Sequence, residues 1–313
     1  MNTLETRDHG GGVDAAMRKY GGSIADWIDL STGINPVAYP VFDLDDRDWA
    51  TLPDKNAADN LVQAARDFWE IPAKLSIVAA PGLSSIITRL PGIVTGNSFA
   101  IPWPTYNEYE AAFSAAGWNK VPEQADATII VHPNNPDGRI WQPNEITNSL
   151  TIIDESFCDV SPDRTFVNQI QGENRLILKS FGKFWGLAGM RLGFAIGNED
   201  LLSKIKDSLG PWPVSGPALS IGARALGDTG WATQTRARLA SDTIRLDDLM
   251  TARGANLVGG TTLFRLYSVD NAAQRQAKLA ASNIWTRIFP YSENWLRLGI
   301  PGPADWDRLE QAL

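Results

Sequence analysis

The chain contains 313 residues, a length that suits one large domain and a smaller one. Of these residues 43% are hydrophobic and 20% charged, which is the composition of an ordinary globular protein. Its formal charge is −8 and it has no basic stripe, so neither nucleic acid nor an anionic membrane is an expected partner. The one cysteine, Cys158, permits no internal disulfide and fits a reducing cytoplasm, and no apolar run approaches membrane-spanning length.

The first 36 residues are rich in glycine, and we predict an arm with one short helix near residues 15–20. Beyond the arm, short apolar segments alternate with segments of helical periodicity. The apolar segments do not alternate with polar residues, as expected for strands covered on both faces. This order predicts an α/β sheet with helices on both sides. The predicted strands are 76–80, 98–101, 127–131, 150–153 and 176–178, and the predicted helices among them are 57–69 and 106–116.

The pattern changes near residues 211–217, where prolines cluster. We therefore divide the chain into an N-terminal arm (1–36), a large domain (37–212) and a small C-terminal domain (213–313). The arm is expected to pack with the small domain or across a dimer interface. The elements predicted for the small domain are a helical stretch over 218–252, a strand at 263–267, a helix at 272–281, two short strands and a last helix at 304–313.

A lysine in an aromatic setting follows the strand at 176–178. Lys183 lies close to Phe181, Phe184 and Trp185, which would desolvate its amine, lower its pKa and favour imine chemistry. The alternative is a solvated surface lysine. Lys179 is a rival candidate, but it belongs to the end of the strand.

The segment from Ser180 to Gly193 resembles the lysine segment of fold-type I pyridoxal-phosphate (PLP) enzymes. The matching residues are Ser180, Lys183, Arg191 and Gly193. The resemblance implies an aspartate-aminotransferase-like α/β fold, with a large domain built on a mixed, mostly parallel sheet and a small α+β domain. It also implies that PLP is the cofactor, that Lys183 is its Schiff-base lysine, and that Ser180 and Arg191 bind its phosphate.

Further residues match the same family in the same order along the chain. Asp154 ends an apolar strand, and the resemblance places it on the pyridine nitrogen, where a carboxylate favours the protonated ring. The other implied contacts are Asn135 on the ring oxygen, Tyr106 stacked on the ring, and the backbone amides of Gly82 and Leu83 on the phosphate. Taken alone, each has an ordinary alternative: a strand-end acid, a turn residue, a core aromatic or a helix N-cap.

An arginine late in the chain, Arg297, lies between apolar residues and matches the family's carboxylate-binding arginine. The alternative is a strand arginine that reaches the surface. The chain also departs from the family: His132 replaces an asparagine, Phe157 stands where a tyrosine is frequent, and Leu52 stands where many relatives have a tyrosine.

Two N-terminal segments narrow the resemblance. Asp8-His9-Gly10-Gly11 and the stretch from Trp27 to Pro36 resemble the threonine-phosphate decarboxylases of cobalamin biosynthesis. That family converts L-threonine O-3-phosphate to (R)-1-amino-2-propanol O-2-phosphate, and its active sites are usually built at the interface of a homodimer. The alternatives are an aminotransferase acting on histidinol phosphate or a related amino acid, and a non-catalytic protein that retains the fold.

Both enzyme alternatives require a second anion site, because their substrates carry a phosphate. The candidates for substrate binding, besides Arg297, are His9, Gly10 and Asn35, with Arg265 and Arg287 as further possibilities. Two histidines and one cysteine do not make a zinc site, so no metal is expected.

Overall fold

The chain forms two compact units, as described by a computed structural model that covers residues 7–146, 150–169 and 175–313. The large unit comprises Ala38–Asn135 and Arg139–Gln234, and the small unit comprises Met1–Val37, Pro136–Gly138 and Thr235–Leu313. The domain limits expected after residues 36 and 212 stay a prediction of domain organisation.

Helices and strands alternate through most of the described chain. The helices are α1 Val13–Tyr20, α2 Asp46–Ala50, α3 Lys55–Phe68, α4 Leu83–Ile87, α5 Leu90–Ile93, α6 Glu108–Ala115, α7 Glu199–Leu209, α8 Gly216–Gly227, α9 Thr229–Ala252, α10 Ala272–Ala280 and α11 Trp306–Ala312. The strands are β1 Ile28–Asp29, β2 Ser76–Ala80, β3 Ser98–Ala100, β4 Asn119–Lys120, β5 Ala127–Val131, β6 Leu150–Asp154, β7 Arg175–Ser180, β8 Gly193–Gly197, β9 Asn256–Thr261, β10 Phe264–Ser268, β11 Ile284–Trp285, β12 Arg287–Phe289 and β13 Ser292–Gly299.

A seven-stranded sheet forms the centre of the large unit, in the order β2-β8-β7-β6-β5-β3-β4. Strands β3 to β7 pair in parallel, whereas β8 is antiparallel to both of its neighbours, β2 and β7. The central strands are buried along almost their whole length, which explains their continuous apolar sequence. The predicted mixed, mostly parallel sheet is therefore confirmed.

Helices α3 and α7 of the large unit begin at side chains that cap them. Asp54 accepts a hydrogen bond from the Ala57 N–H at the start of α3, and Asn198 accepts one from the Leu201 N–H at the start of α7. Helices α4, α5, α6 and α7 contribute apolar side chains that pack in one core with the strands of the sheet. This packing holds the strand ends, and the loops that follow them, in fixed places.

The small unit joins the N-terminal arm to the C-terminal part of the chain. Strand β1 pairs in parallel with β11, and four antiparallel strands form a second sheet in the order β12-β13-β10-β9. Tyr20, Trp27 and Trp285 pack edge-on or tilted, with ring centroids 6.4 to 6.5 Å apart. The arm thus packs with C-terminal residues, one of the two arrangements expected from the sequence.

Three sequence predictions need correction. The helical stretch over 218–252 is two helices, because the chain turns at Asp228 between α8 and α9. Strand β8 was not predicted, and the two short strands expected after residue 281 are three, β11 to β13. Within the described part of the chain, none of the helices is long and apolar enough to cross a bilayer.

Candidate active site

The carboxyl ends of four strands that point the same way, β2, β5, β6 and β7, lie along one edge of the large sheet. Val131 of β5 lies opposite Asp154 of β6, and Asp154 lies opposite Leu178 of β7. Because β8 is reversed, its first residue, Gly193, lies opposite both Ala80 and Ser180, the last residues of β2 and β7. In open α/β sheets, ligands bind at the carboxyl ends of the strands, so a ligand site is expected at this edge.

A pocket of about 180 Å³ lies at this edge, within the large unit. It contains all eight residues predicted to bind the cofactor, although they come from five separate segments of the chain. Their roles stay predictions, but the structure brings them together. The lining residues are Gly82, Leu83, Ser84, Ile87, Tyr106, Val131, Asn135, Asp154, Ser156, Phe157, Ser180, Lys183, Arg191 and Leu192.

Lys183 and Asp154 supply the opposite charges of the pocket. Lys183 is partly buried, and its Nζ lies 5.7 Å from the ring centroid of Phe157. Asp154 is 3% exposed. Burial raises the pKa of the Asp154 carboxyl, against hydrogen bonds from Ser156 and Tyr109 and the charge of Lys183, which lower it. A buried carboxylate in this position is best stabilised by a cation facing it.

Lys179, the rival lysine, is committed to a different environment. It is 2% exposed and does not line the pocket; its Nζ lies 2.5 Å from Glu155 Oε2 and 3.7 Å from Asp159 Oδ1. Burial is the largest single influence and lowers the pKa of the Lys179 amine, but the negative charges around it and the hydrogen bond to Glu155 together outweigh burial, and the pKa is raised overall. A lysine held protonated in an ion pair is a poor imine former, so the geometry favours Lys183.

The phosphate side of the pocket is formed by Gly82 and Arg191. Gly82 has φ of +78°, and a Cβ built on it would lie 2.5 Å from Arg191 Nη2, so the guanidinium rests directly on the glycine backbone. The N–H of Gly82 donates to the Ala80 carbonyl at 2.7 Å. The N–H groups of Leu83 and Ser84 begin helix α4, where the first turn has no intrahelical acceptors. These donors and the guanidinium suit a phosphate.

The turn after β5 is held by side chains that do not line the pocket. Asn134 donates to the Pro104 carbonyl at 3.0 Å and accepts from the Thr105 hydroxyl at 2.6 Å. It therefore links the loop that carries Tyr106 to the loop that carries Asn135. His132 is fully buried, with its ring nitrogens on the Arg164 carbonyl and the Trp141 N–H, which is a structural role.

An aromatic stack supports the loop that carries Lys183. Trp185 is fully buried between Phe181, at 5.3 Å and 10°, and Trp231, at 5.1 Å and 15°. Tyr39 packs edge-on against both tryptophans, and its N–H donates to the Trp185 carbonyl. The backbone beside the lysine is thus fixed, while its long side chain extends into the pocket.

Tyr109 is a residue of this site that the sequence analysis missed. It is fully buried in α6, and its hydroxyl donates to Asp154 Oδ2 at 2.8 Å. The available signal was its spacing: Tyr109 follows Tyr106 by three residues, so the two side chains lie near one face at the start of a helix. Their ring centroids are 6.3 Å apart.

The residues predicted to bind substrate all belong to the small unit. Arg297 is 5% exposed and donates to the Ser31 carbonyl at 2.7 Å. Asn35 is 2% exposed, and its Oδ1 accepts from Arg238 at 2.5 Å. A Cβ on Gly10 would lie 2.5 Å from the Ser31 carbonyl oxygen, so the backbone of Gly10 lies close to Ser31, while His9 and Gly10 are both exposed.

The two further candidates for anion binding are engaged by carboxylates. Arg265 donates from Nε and Nη2 to the two oxygens of Asp247, at 3.0 and 2.7 Å. Arg287 donates to Asp8 Oδ2 at 2.7 Å. Arg287 also lies directly opposite Arg297 in the pairing of β12 with β13.

The large-unit pocket fits PLP in its donor set. It offers a lysine amine for the aldehyde, a buried carboxylate that needs a cation, an aromatic ring, and a guanidinium beside free helix amides for the phosphate. The fold and this pocket define the chain as a member of the aminotransferase class I and II family, whose model matches residues 118–313.

Within that family, two curated relatives are similar over almost their whole length. A threonine-phosphate decarboxylase from a Sinorhizobium species is 39% identical, over 96% of this chain and 95% of the relative. A threonine-phosphate decarboxylase from Pseudomonas aeruginosa is 33% identical, over 98% and 97%. Among solved structures, histidinol-phosphate aminotransferase from Sinorhizobium meliloti, in complex with pyridoxal-5'-phosphate, matches with a TM-score of 0.78 at 18% identity, over 100% of this chain and 96% of that chain.

Proposed function

We propose that this chain is a PLP-dependent threonine-phosphate decarboxylase, which converts L-threonine O-3-phosphate to (R)-1-amino-2-propanol O-2-phosphate in cobalamin biosynthesis. The observation that carries the proposal is the full-length similarity to two relatives of that name, at identities well above that of the matched aminotransferase structure. The pocket supports it, because each group that PLP requires has a candidate there.

Each residue of the pocket would have its own role in binding the cofactor. Lys183 would bind the cofactor covalently through Nζ, and Asp154 would hold the ring nitrogen in its protonated form. Arg191, Ser180 and the amide of Leu83 would bind the phosphate, whereas the Gly82 amide, also predicted for this role, donates to the Ala80 carbonyl. Tyr106 would stack on the ring and Asn135 would donate to its oxygen. Bound PLP supplies an electron-accepting ring that stabilises the electron pair left at Cα when a substrate bond breaks.

With the cofactor bound, reaction choice would depend on which Cα bond the protein aligns for cleavage. A decarboxylase must hold the Cα–carboxylate bond in that position, whereas an aminotransferase holds the Cα–H bond there. The protein makes this choice by fixing the substrate's two anions. We propose Arg297, His9, Gly10 and Asn35 as the residues that bind them, because a buried guanidinium and a packed glycine backbone suit anions.

The proposal is tested by incubating the protein with PLP and L-threonine O-3-phosphate. We expect release of one carbon dioxide per aminopropanol phosphate formed, without a requirement for a keto acid. The variant Lys183→Ala should lose this activity, because no other group in the pocket offers an amine for the cofactor. Transfer of the amino group of histidinol phosphate to a keto acid, without carbon dioxide, would instead establish the aminotransferase alternative.

We further propose that the chain acts as a homodimer. Among the described residues of the large unit, several large apolar side chains between residues 42 and 212 are exposed, where a monomer would leave them in water. Phe42 is 54% exposed, Trp49 70%, Leu52 66% and Trp212 57%. Association with a second copy would remove such side chains from water and so stabilise the dimer.

A further inference from the structure

The carboxylate of Asp154 is held by a fixed donor at each oxygen. The Tyr109 hydroxyl donates to Oδ2 at 2.8 Å, and the Ser156 N–H donates to Oδ1 at 2.9 Å. Tyr109 is fully buried, and burial raises the pKa of its phenol well above the usual range, so the hydroxyl keeps its proton and remains a donor. The two donors fix the plane of the carboxylate and favour its ionised form.

The chain contains a second buried tyrosine–aspartate hydrogen bond of almost the same geometry. In the small unit, Tyr267 is fully buried and its hydroxyl donates to Asp247 Oδ1 at 2.7 Å. That carboxylate is neutralised by Arg265, which donates to both of its oxygens. Asp154 differs, because it lines a pocket and faces the space where a cationic ring would lie.

We propose that Tyr109 is a positioning residue which, through its hydrogen bond to Asp154, keeps the proton of the cofactor's ring nitrogen on that nitrogen. The inference rests on the proposed function, since it requires Asp154 to face the ring. Without the Tyr109 hydroxyl, Asp154 Oδ2 loses its donor and becomes a stronger base. In a buried pair, the proton then moves from the ring nitrogen to the carboxylate, which leaves both groups neutral.

Tyr109→Phe removes the hydroxyl and keeps the ring. The protein is loaded with ¹⁵N-labelled PLP, and the ¹⁵N chemical shift of the ring nitrogen is followed with pH, together with the visible absorbance of the bound cofactor. We expect the wild type to show a protonated nitrogen and Tyr109→Phe a shift toward the unprotonated value. The loss of a hydrogen bond to a charged group should also raise the PLP dissociation constant about tenfold.

Tyr267→Phe is the matched control, because it removes an equally buried hydroxyl from an aspartate in the small unit. It should lower thermal stability while it leaves the ¹⁵N shift at the wild-type value. Should Tyr109→Phe unfold, 3,5-difluorotyrosine at position 109 keeps the shape and strengthens the donor, and the ¹⁵N shift at neutral pH should then stay at the protonated value or move further toward it.

The outcomes separate this inference from the proposed function. If Asp154→Asn changes the ¹⁵N shift and Tyr109→Phe, or the difluorotyrosine variant, does not, the role of Tyr109 is overturned while Asp154 keeps its own. If neither the wild type nor Tyr109→Phe binds PLP, or if Asp154→Asn leaves the shift unchanged, the proposed function fails at its foundation and the inference with it.

Discussion

Gly82 shows how a single missing side chain shapes the pocket. Its φ is positive, and a Cβ added to it would lie 2.5 Å from Arg191 Nη2, which leaves no place for any other residue. Gly189, in the same loop as Arg191, has open space around it and no such φ. The two glycines therefore provide a matched pair of substitutions.

Gly82→Ala should displace the Arg191 guanidinium and weaken PLP binding. Loss of a charge-assisted hydrogen bond to the phosphate predicts a rise in the dissociation constant of about 10- to 100-fold. Equilibrium dialysis with PLP measures the effect, and Gly189→Ala should bind as the wild type does. Equal affinity of Gly82→Ala and wild type would contradict the placement of the phosphate at Gly82 and Arg191.

His132 predicts a pH dependence of stability. Burial is the main cause that lowers its pKa in the folded protein, whereas the unfolded chain has a histidine pKa of about 6.5. The unfolded state therefore binds the proton more readily. As the pH falls below about 6.5, folding stability should decrease, by at most about 1.4 kcal/mol per pH unit from this one group. The full contribution is present above that pH.

Urea unfolding at a series of pH values between about 5 and 8 tests this. His132→Gln should show a weaker decrease of stability below pH 6.5 than the wild type, because glutamine does not titrate. The same slope in both proteins would show that another group is responsible.

The roles of single residues were only partly predictable from the sequence. The resemblance to PLP enzymes selected Asn135, Asp154 and Lys183, because their motifs follow apolar strands in the same order as in that family. Tyr109 was missed, because a tyrosine at helical spacing has the pattern of a core aromatic. Its hydrogen bond to Asp154 depends on tertiary packing over 45 residues of chain, which local patterns do not contain.

Among the secondary-structure elements, the break between α8 and α9 carries a testable prediction. Asp228 Oδ1 accepts a hydrogen bond from the Trp231 N–H in the first turn of α9. Asp228→Ala should lower the free energy of unfolding by about 0.5–2 kcal/mol, as expected for a lost N-cap. Asp228→Asn retains the acceptor and should remain near the wild type in thermal unfolding. A loss as large in Asp228→Asn would mean that the charge, and not the cap, is what matters.

Lys179 of β7 forms a buried ion pair with Glu155, the residue that follows β6, and this pair predicts a larger effect on stability. Lys179→Met leaves the Glu155 carboxylate buried without its cation and should destabilise the protein by about 3–5 kcal/mol. Lys120→Met breaks a partly exposed pair with Glu110, and should change stability by no more than about 1 kcal/mol. Chemical unfolding measures both. Similar small losses would show that water reaches the Glu155 carboxylate.

Strand and helix positions followed the hydrophobic pattern where the pattern was strong. The predicted strands 76–80 and 127–131 agree with β2 and β5 at both ends. Strand β8 escaped prediction because its sequence, Gly-Phe-Ala-Ile-Gly, begins and ends in glycine, which is unfavourable in strands. Glycine is needed at the start of β8 because Gly193 lies close to Leu83: a Cβ on Gly193 would be 3.0 Å from the Leu83 N.

For the whole molecule, the proposed homodimer predicts a mass in solution of twice the 34.2 kDa of the chain. Trp49→Asp places a charge on the exposed apolar surface of the large unit and should shift the mass toward that of a monomer. Ile244→Asp, at a similarly exposed apolar residue of the small unit, is the control and should stay dimeric. Light scattering after gel filtration measures all three proteins. A wild type of single-chain mass would refute the dimer.

One detail of the two units, the place of Pro136–Gly138, could not be predicted from the sequence. Residues Pro136–Gly138 cluster with the small unit although they follow Asn135 directly. The reason is a close backbone approach: a Cβ on Gly138 would lie 2.1 Å from the Gly260 carbonyl oxygen, and one on Gly259 would lie 2.1 Å from that of Asp137. Contacts of this kind join residues more than 120 positions apart, and a turn motif considered locally gives no sign of them.

The reversed direction of β8 has a consequence for engineering. The segment between β7 and β8 leaves and re-enters the sheet at the same edge, so one short excursion delivers both Lys183 and Arg191. New termini opened at Gly189, with the two ends of the given chain joined by a linker, would leave the described strand pairings intact. Such a circular permutant would sever the covalent tie between the amine and the guanidinium, and so measure what that tether contributes to cofactor capture.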